Sequence, residues 1–289
     1  MINKTFLSFK KGKVLTFLSL FFLTSCSSFS SRAEFAGFNK KALFSLMEQL
    51  EVKHDNTEEG IVKETQKAWL RSGERWETAD LHEERKETLR PLFDDLELVN
   101  EWEPHYKQYD GVLLLGSTFF AMQAKTRYLD ELVKKNPIAF NKLVVLTGER
   151  FLLEKEKDAL KELGADLTKV KTEADMIRFW LEQDDAKRLF IPKEVEFIDV
   201  PAHILEDGTK KRPTTADTVN AWLKNGASPG VYLAFSLQPH CRYQKAVLTS
   251  LLPATYIVDV AGGSDNYTNR VAVYLDAITR TLYASQKKK

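Results

Sequence analysis

The spacing of apolar residues changes character partway along this 289-residue chain. Over residues 38–109 it is helical within a heavily charged background. Ala42, Leu43, Leu46 and Leu50 form one stripe, and Leu89, Leu92, Phe93 and Leu96 another. Trp69 and Trp76, seven residues apart, share a helical face and read as core contacts onto the domain C-terminal to them. From Asp110 the apolar residues instead form short continuous runs at 111–115, 142–146, 195–200, 231–235 and 255–258. The first two runs close on Gly116 and on Thr147-Gly148. Amphipathic stretches separate them: one carrying Tyr128, Leu129, Leu132 and Val133, then 172–182, 214–225, 241–251 and another after 267. Buried strands alternating with helices predict a doubly wound α/β fold, its mostly parallel sheet covered on both faces. The expected organisation is a helical extension over 38–109 and an α/β domain over 110–289.

The first 37 residues follow a different rule. Lys4, Lys10, Lys11 and Lys13 precede an apolar run over 14–23, which ends in Leu23-Thr24-Ser25-Cys26. Ten residues are too few for a bilayer-spanning helix, which needs roughly 20, but they suit a cleaved export signal. The small-residue-then-cysteine ending resembles a lipobox. The expectation is a signal peptide over 1–25, lipidation at Cys26 and a tether over 26–37. The folded body would then be extracytoplasmic in the cell envelope, membrane-bound through its lipid anchor.

Removing residues 1–25 lowers the basic count from 42 to 38 against 41 acids, a slightly acidic balance. This excludes a nucleic-acid binder, whose affinity needs concentrated positive charge. Only Cys241 would remain, so no intrachain disulfide is expected.

In an open parallel sheet, ligands bind beyond the carboxyl ends of the strands, so the residues just after each run are the candidates. After the first run come Gly116 and Ser117, and after the second Gly148, Glu149 and Arg150. After the fourth come Gln238, His240 and Arg242. If the topology holds, Arg150, Arg212 and Arg242 converge on one edge, where guanidinium forks suit carboxylate or phosphate. Thr172-Glu173-Ala174-Asp175 and Thr214-Thr215-Ala216-Asp217 each open a helix. Reciprocal capping explains Thr172, Asp175, Thr214 and Asp217 without chemistry, but not Glu173 or Arg212. Glu173 and His240 are the acid–base candidates. Gly116, Ser117, Gly148, Glu149, Arg150, Arg212, Thr215, Gln238 and Arg242 are the ligand-binding candidates. The chain has no G-x-G-x-x-G and no P-loop lysine, so neither a dinucleotide nor a nucleoside triphosphate is indicated. No His/Cys/Asp spacing suits a tight metal site, and no cofactor is specified.

Five segments carry a resemblance. They are Asp110-Gly111-Val112-Leu113-Leu114-Leu115-Gly116, Leu146-Thr147-Gly148-Glu149-Arg150 and Thr172-Glu173-Ala174-Asp175-Met176, then Arg212-Pro213-Thr214-Thr215-Ala216-Asp217-Thr218 and Gln238-Pro239-His240-Cys241-Arg242-Tyr243-Gln244. In this order they resemble a bacterial family of envelope-associated α/β proteins that includes SanA, ElyC and YdcF. The resemblance runs from Asp110 to about Asp259. It implies a Rossmann-like fold whose matching polar residues form one cleft. It also implies a role in envelope integrity, peptidoglycan synthesis or the handling of lipid-carried intermediates. This chain departs from the pattern by an insertion over 151–171 and by the extension over 38–109. The expected partner is an anionic small molecule or a lipid-linked phosphate. The competing expectation is a non-catalytic envelope protein that docks partners through its helical extension.

Overall fold

A computed structural model describes residues 34–71, 81–135, 137–183, 190, 192 and 194–286. The expected signal segment, Cys26, most of the expected tether and Trp76 lie outside the described residues. Residues 33–289 form one compact unit.

Its centre is a five-stranded parallel sheet of β1 (Gly111–Leu115), β2 (Lys142–Gly148), β3 (Glu194–Val200), β4 (Gly230–Leu237) and β5 (Tyr256–Gly263). The order is β5-β4-β1-β2-β3, with every neighbouring pair parallel. The chain runs outward from β1 to β3, returns to the other side of β1, and runs outward again. This is a Rossmann-like, doubly wound α/β fold whose strand order reverses between β1 and β4.

Successive side chains of a strand face opposite ways, so each buried strand feeds two cores. Val112 and Leu114 of β1 join Leu143, Val145, Leu233 and Phe235 beneath α4 (Phe119–Lys135) and α6 (Glu173–Glu182). Leu113 and Leu115 join Val144, Leu146 and Ala234 beneath α7 (Thr215–Lys224) and α8 (Cys241–Leu251). Both threonine-led helix starts are reciprocal caps, as the spacing predicts. Thr172 Oγ1 accepts from the Asp175 amide and Asp175 Oδ2 from the Thr172 amide, at 3.2 and 3.0 Å. Thr214 and Asp217 repeat this arrangement.

The N-terminal helices α1 (Lys40–Gln49), α2 (Glu58–Trp69) and α3 (Lys86–Asp95) carry the two predicted stripes. Those stripes are buried apart from the half-buried Leu92, and a quarter of the buried core they enter comes from the far end of the chain. Leu43, Leu46, Ile61, Trp69, Leu89 and Phe93 pack with Val271, Tyr274, Leu275 and Ile278 of α9 (Val271–Gln286). Phe93 stacks on Tyr274 with ring centroids 4.5 Å apart. The apolar faces of the extension are therefore spent on α9, which in turn packs on α8. Among the described residues no helix is long and apolar enough to cross a membrane.

Candidate functional site

Three segments meet at the carboxyl ends of β1 and β2. The chain leaves β2 through Arg150, begins α6 at Glu173, and enters α7 through Arg212. Arg150 and Glu173 are buried, and a third buried charge, Glu156, comes from α5 (Glu154–Glu162).

Arg150 and Glu156 form a closed unit. Arg150 donates to both Glu156 oxygens, at 2.7 and 3.0 Å, a two-toothed pairing that suits the planar guanidinium. It also donates to the Ser117 and Phe151 carbonyls. Glu156 accepts the Phe119 amide that opens α4 and the Leu153 amide that precedes α5, at 2.8 and 2.7 Å. Burial alone would raise the pKa of Glu156. The Arg150 hydrogen bonds and the two amides outweigh it, so the carboxyl lies below its usual range.

Glu173 stands on the other side of Arg150 and is not closed. Its Oε1 receives Arg150 Nε at 3.4 Å and an Arg212 terminal nitrogen at 3.2 Å. Its Oε2 is buried with no hydrogen-bond partner, and so is Arg212 Nε. Burial outweighs the charges of Arg212 and Arg150 here and holds the Glu173 carboxyl above its ordinary range. The Gly148 amide also lies close to this carboxylate. At Gly116 a Cβ would lie 2.4 Å from Glu173 Oε2 and 3.2 Å from the Leu146 carbonyl oxygen, so a side chain there would displace the buried carboxylate. At Gly148 a Cβ would lie 2.8 Å from the Pro213 ring.

Glu173 and Arg212 line a cleft of about 780 Å³ that opens over the ends of β1 and β2. Leu115, Gly116, Leu146 and Gly148 form its floor, and Thr214, Thr215 and Ala216 of the first turn of α7 form one wall. Tyr243 and Val247 of α8, with Thr279 and Arg280 of α9, also line it. Gln66 and Leu70, in and just beyond α2, contribute to the rim. The arrangement offers cationic nitrogens, helix-start amides and a buried carboxyl on one concave surface. Together these suit a ligand carrying both an oxyanion and a hydrogen-bond donor.

The other candidates from the sequence are placed elsewhere. Arg242 does not join Arg150 and Arg212. It donates to the Gly37 carbonyl and pairs with Glu97, and its guanidinium lies 5.0 and 5.1 Å from the Phe38 and Trp102 rings. The expected convergence of three arginines is thus corrected to two, because the extension supplies carbonyl, acid and aromatic partners for the third. Gln238 Nε2 donates to the Glu97 and Asn100 carbonyls, fastening the same segment. His240 caps α8, whereas the cleft takes α8 residues from Tyr243 onward. Glu149 accepts the Ala202 amide at 2.9 Å and Lys210 at 3.3 Å, partners that hold its carboxyl below its usual range. Ser117 contributes its carbonyl to Arg150. Cys241 is buried, which pushes its thiol up to about 12.

Glu156, Thr279 and Arg280 belong to this region and carry no sequence signal of it. Glu156 sits in the charged run Glu154-Lys155-Glu156-Lys157, which reads as a solvated face. Thr279 and Arg280 follow no strand, so a search restricted to strand ends passes over them. Comparisons with protein-family models, curated proteins and solved structures return no match for this chain.

Proposed function

We propose that this protein is a lipid-anchored envelope protein whose cleft over β1 and β2 binds an anionic, phosphate-bearing small molecule or lipid-linked intermediate. The observation that carries the reading is the half-satisfied Glu173–Arg212 pair on the cleft wall. Each partner has a buried polar atom with nothing to bond to, an arrangement that costs stability unless a ligand completes it. Arg212 would hold the oxyanion beside the first-turn amides of α7, where the helix dipole favours negative charge. Glu173 would accept a hydrogen bond from the ligand, or exchange a proton with it. The cleft volume falls within the range of small-molecule sites. The export-like N-terminus and the resemblance to envelope proteins support the location part of this reading.

The test is thermal denaturation of the purified protein against pyrophosphate, nucleotide sugars, polyprenyl phosphates and S-adenosylmethionine. A ligand at a hundred times its Kd adds about 2.7 kcal/mol. In a body of this size that is a rise in Tm of roughly 5–10 °C. The shift should vanish in Arg212→Ala and survive in Arg242→Lys. A shift indifferent to Arg212, or no shift with any compound, overturns the assignment.

A further inference from the structure

The part of the cleft lined by α9 has an unfilled polar group of its own. Thr279 is fully buried and lines the cleft, yet its Oγ1 has no hydrogen-bond partner. Buried helical hydroxyls ordinarily bond back to a carbonyl one turn earlier. In this protein Thr281 does so to Ala277 at 2.7 Å, Ser285 to Thr281 at 2.9 Å, and Thr65 to Ile61 at 2.8 Å. Thr279, on the same helix as two of these, does not.

Arg280 is the next residue on the cleft wall. Its Nε donates to the buried Asp276 carboxylate at 2.8 Å, and that carboxylate also receives Arg71 at 3.2 Å. Tyr243 of α8 faces the same guanidinium. Nε is committed to Asp276 and Tyr243 hydrogen-bonds the guanidinium, so the remaining terminal N–H groups of this cleft-lining arginine are the ones offered to a ligand. Asp276 fixes the side chain in place, so a ligand would find the guanidinium already oriented.

We infer that Thr279 and Arg280 form a second oxyanion position on α9, in the same cleft as Arg212 but on a different element, so that the ligand carries two separate oxyanion groups. A guanidinium with an adjacent hydroxyl is a donor set for phosphate or carboxylate oxygens. This extends the anion-binding reading of the cleft but stands on different groups, and the two can fail separately.

The experiment measures the Tm of the purified protein against inorganic phosphate at constant ionic strength. At high phosphate the limiting dependence on log concentration reports how many phosphates the folded chain takes up. The wild-type protein should take up two. Thr279→Val, which keeps the side-chain shape and removes a hydroxyl that bonds nothing in the fold, should take up one. Arg212→Gln should likewise take up one. Two phosphates in Thr279→Val would overturn the α9 position. One phosphate in the wild type, lost only in Arg212→Gln, would overturn it while leaving the sheet-end site standing. One phosphate lost only in Thr279→Val would support the α9 position and remove the sheet-end anion. No uptake by the wild type would overturn both. Arg280→Lys separates charge from the fork: it should retain the second phosphate at reduced affinity, and unchanged affinity would count against Arg280.

Discussion

Glu156 and Glu173 are two buried carboxylates on either side of one arginine, and they have opposite characters. Glu156 receives two nitrogens of Arg150 and two backbone amides, and its proton affinity is depressed. Glu173 has the same arginine at longer range and a second one, Arg212, that is partly exposed. One of its oxygens has no partner, and burial raises its proton affinity. The same residue type beside the same cation is a strut in one place and an unfinished contact in the other. What separates them is how many donors reach the carboxylate and how heavily desolvation weighs against those donors. Buried charge stabilises a fold only when its hydrogen-bonding capacity is filled.

The largest expected effect breaks the strut. Glu156→Gln leaves Arg150 buried without its counter-charge and weakens the bonds to two helix starts. It should cost about 3–5 kcal/mol in urea or thermal unfolding. A loss no greater than that from the matching change at Glu173 would refute the contrast. Next is Gly116→Ala, whose Cβ would meet both the Glu173 carboxylate and the Leu146 carbonyl. The expected cost is about 1–3 kcal/mol, together with loss of any ligand-induced Tm shift. Tolerance of alanine with binding intact would show that Glu173 does not fill this position.

The smallest effect is the sharpest, because its sign depends on pH. Glu173 binds its proton more tightly folded than unfolded. Its ionisation therefore takes away stability as pH rises from the ordinary glutamate range through the raised folded pKa. Glu173→Gln should match the wild type most closely at about pH 4 and gain on it toward neutral pH. Glu156 has the depressed folded pKa, so its contribution is present above the unfolded glutamate pKa and disappears as pH falls through the folded one. The deficit of Glu156→Gln should accordingly grow with rising pH. Parallel pH trends in the two variants would erase the comparison.

Much of the scaffold around these groups was legible beforehand, for local reasons. The runs at 111–115 and 142–146 became β1 and β2, and the threonine-x-x-aspartate pairs became the caps of α6 and α7. The run at 255–258 extends to Gly263, because Val260 and Ala261 continue the buried ladder with β4. Glu173 and Arg212 stood out because capping left them unexplained. Arg242 stood out because it follows the fourth strand, yet it belongs to the joint with residues 37–102.

Local periodicity and helix-start chemistry are carried by neighbours within about one turn or one strand, so the sequence by itself determined the elements, their alternation and hence the doubly wound class. It also placed Gly116, Gly148, Glu173 and Arg212 at strand ends or helix starts. Tertiary structure alone decided which arginine meets which acid. Arg150, Glu156, Glu173 and Arg212 come from four segments and are brought together by strand order, and Thr279 reaches the cleft only because α9 lies across α2 and α8. Charge pairing falls off over a few ångströms, whereas sequence separation says nothing about distances on that scale once the chain has crossed the sheet.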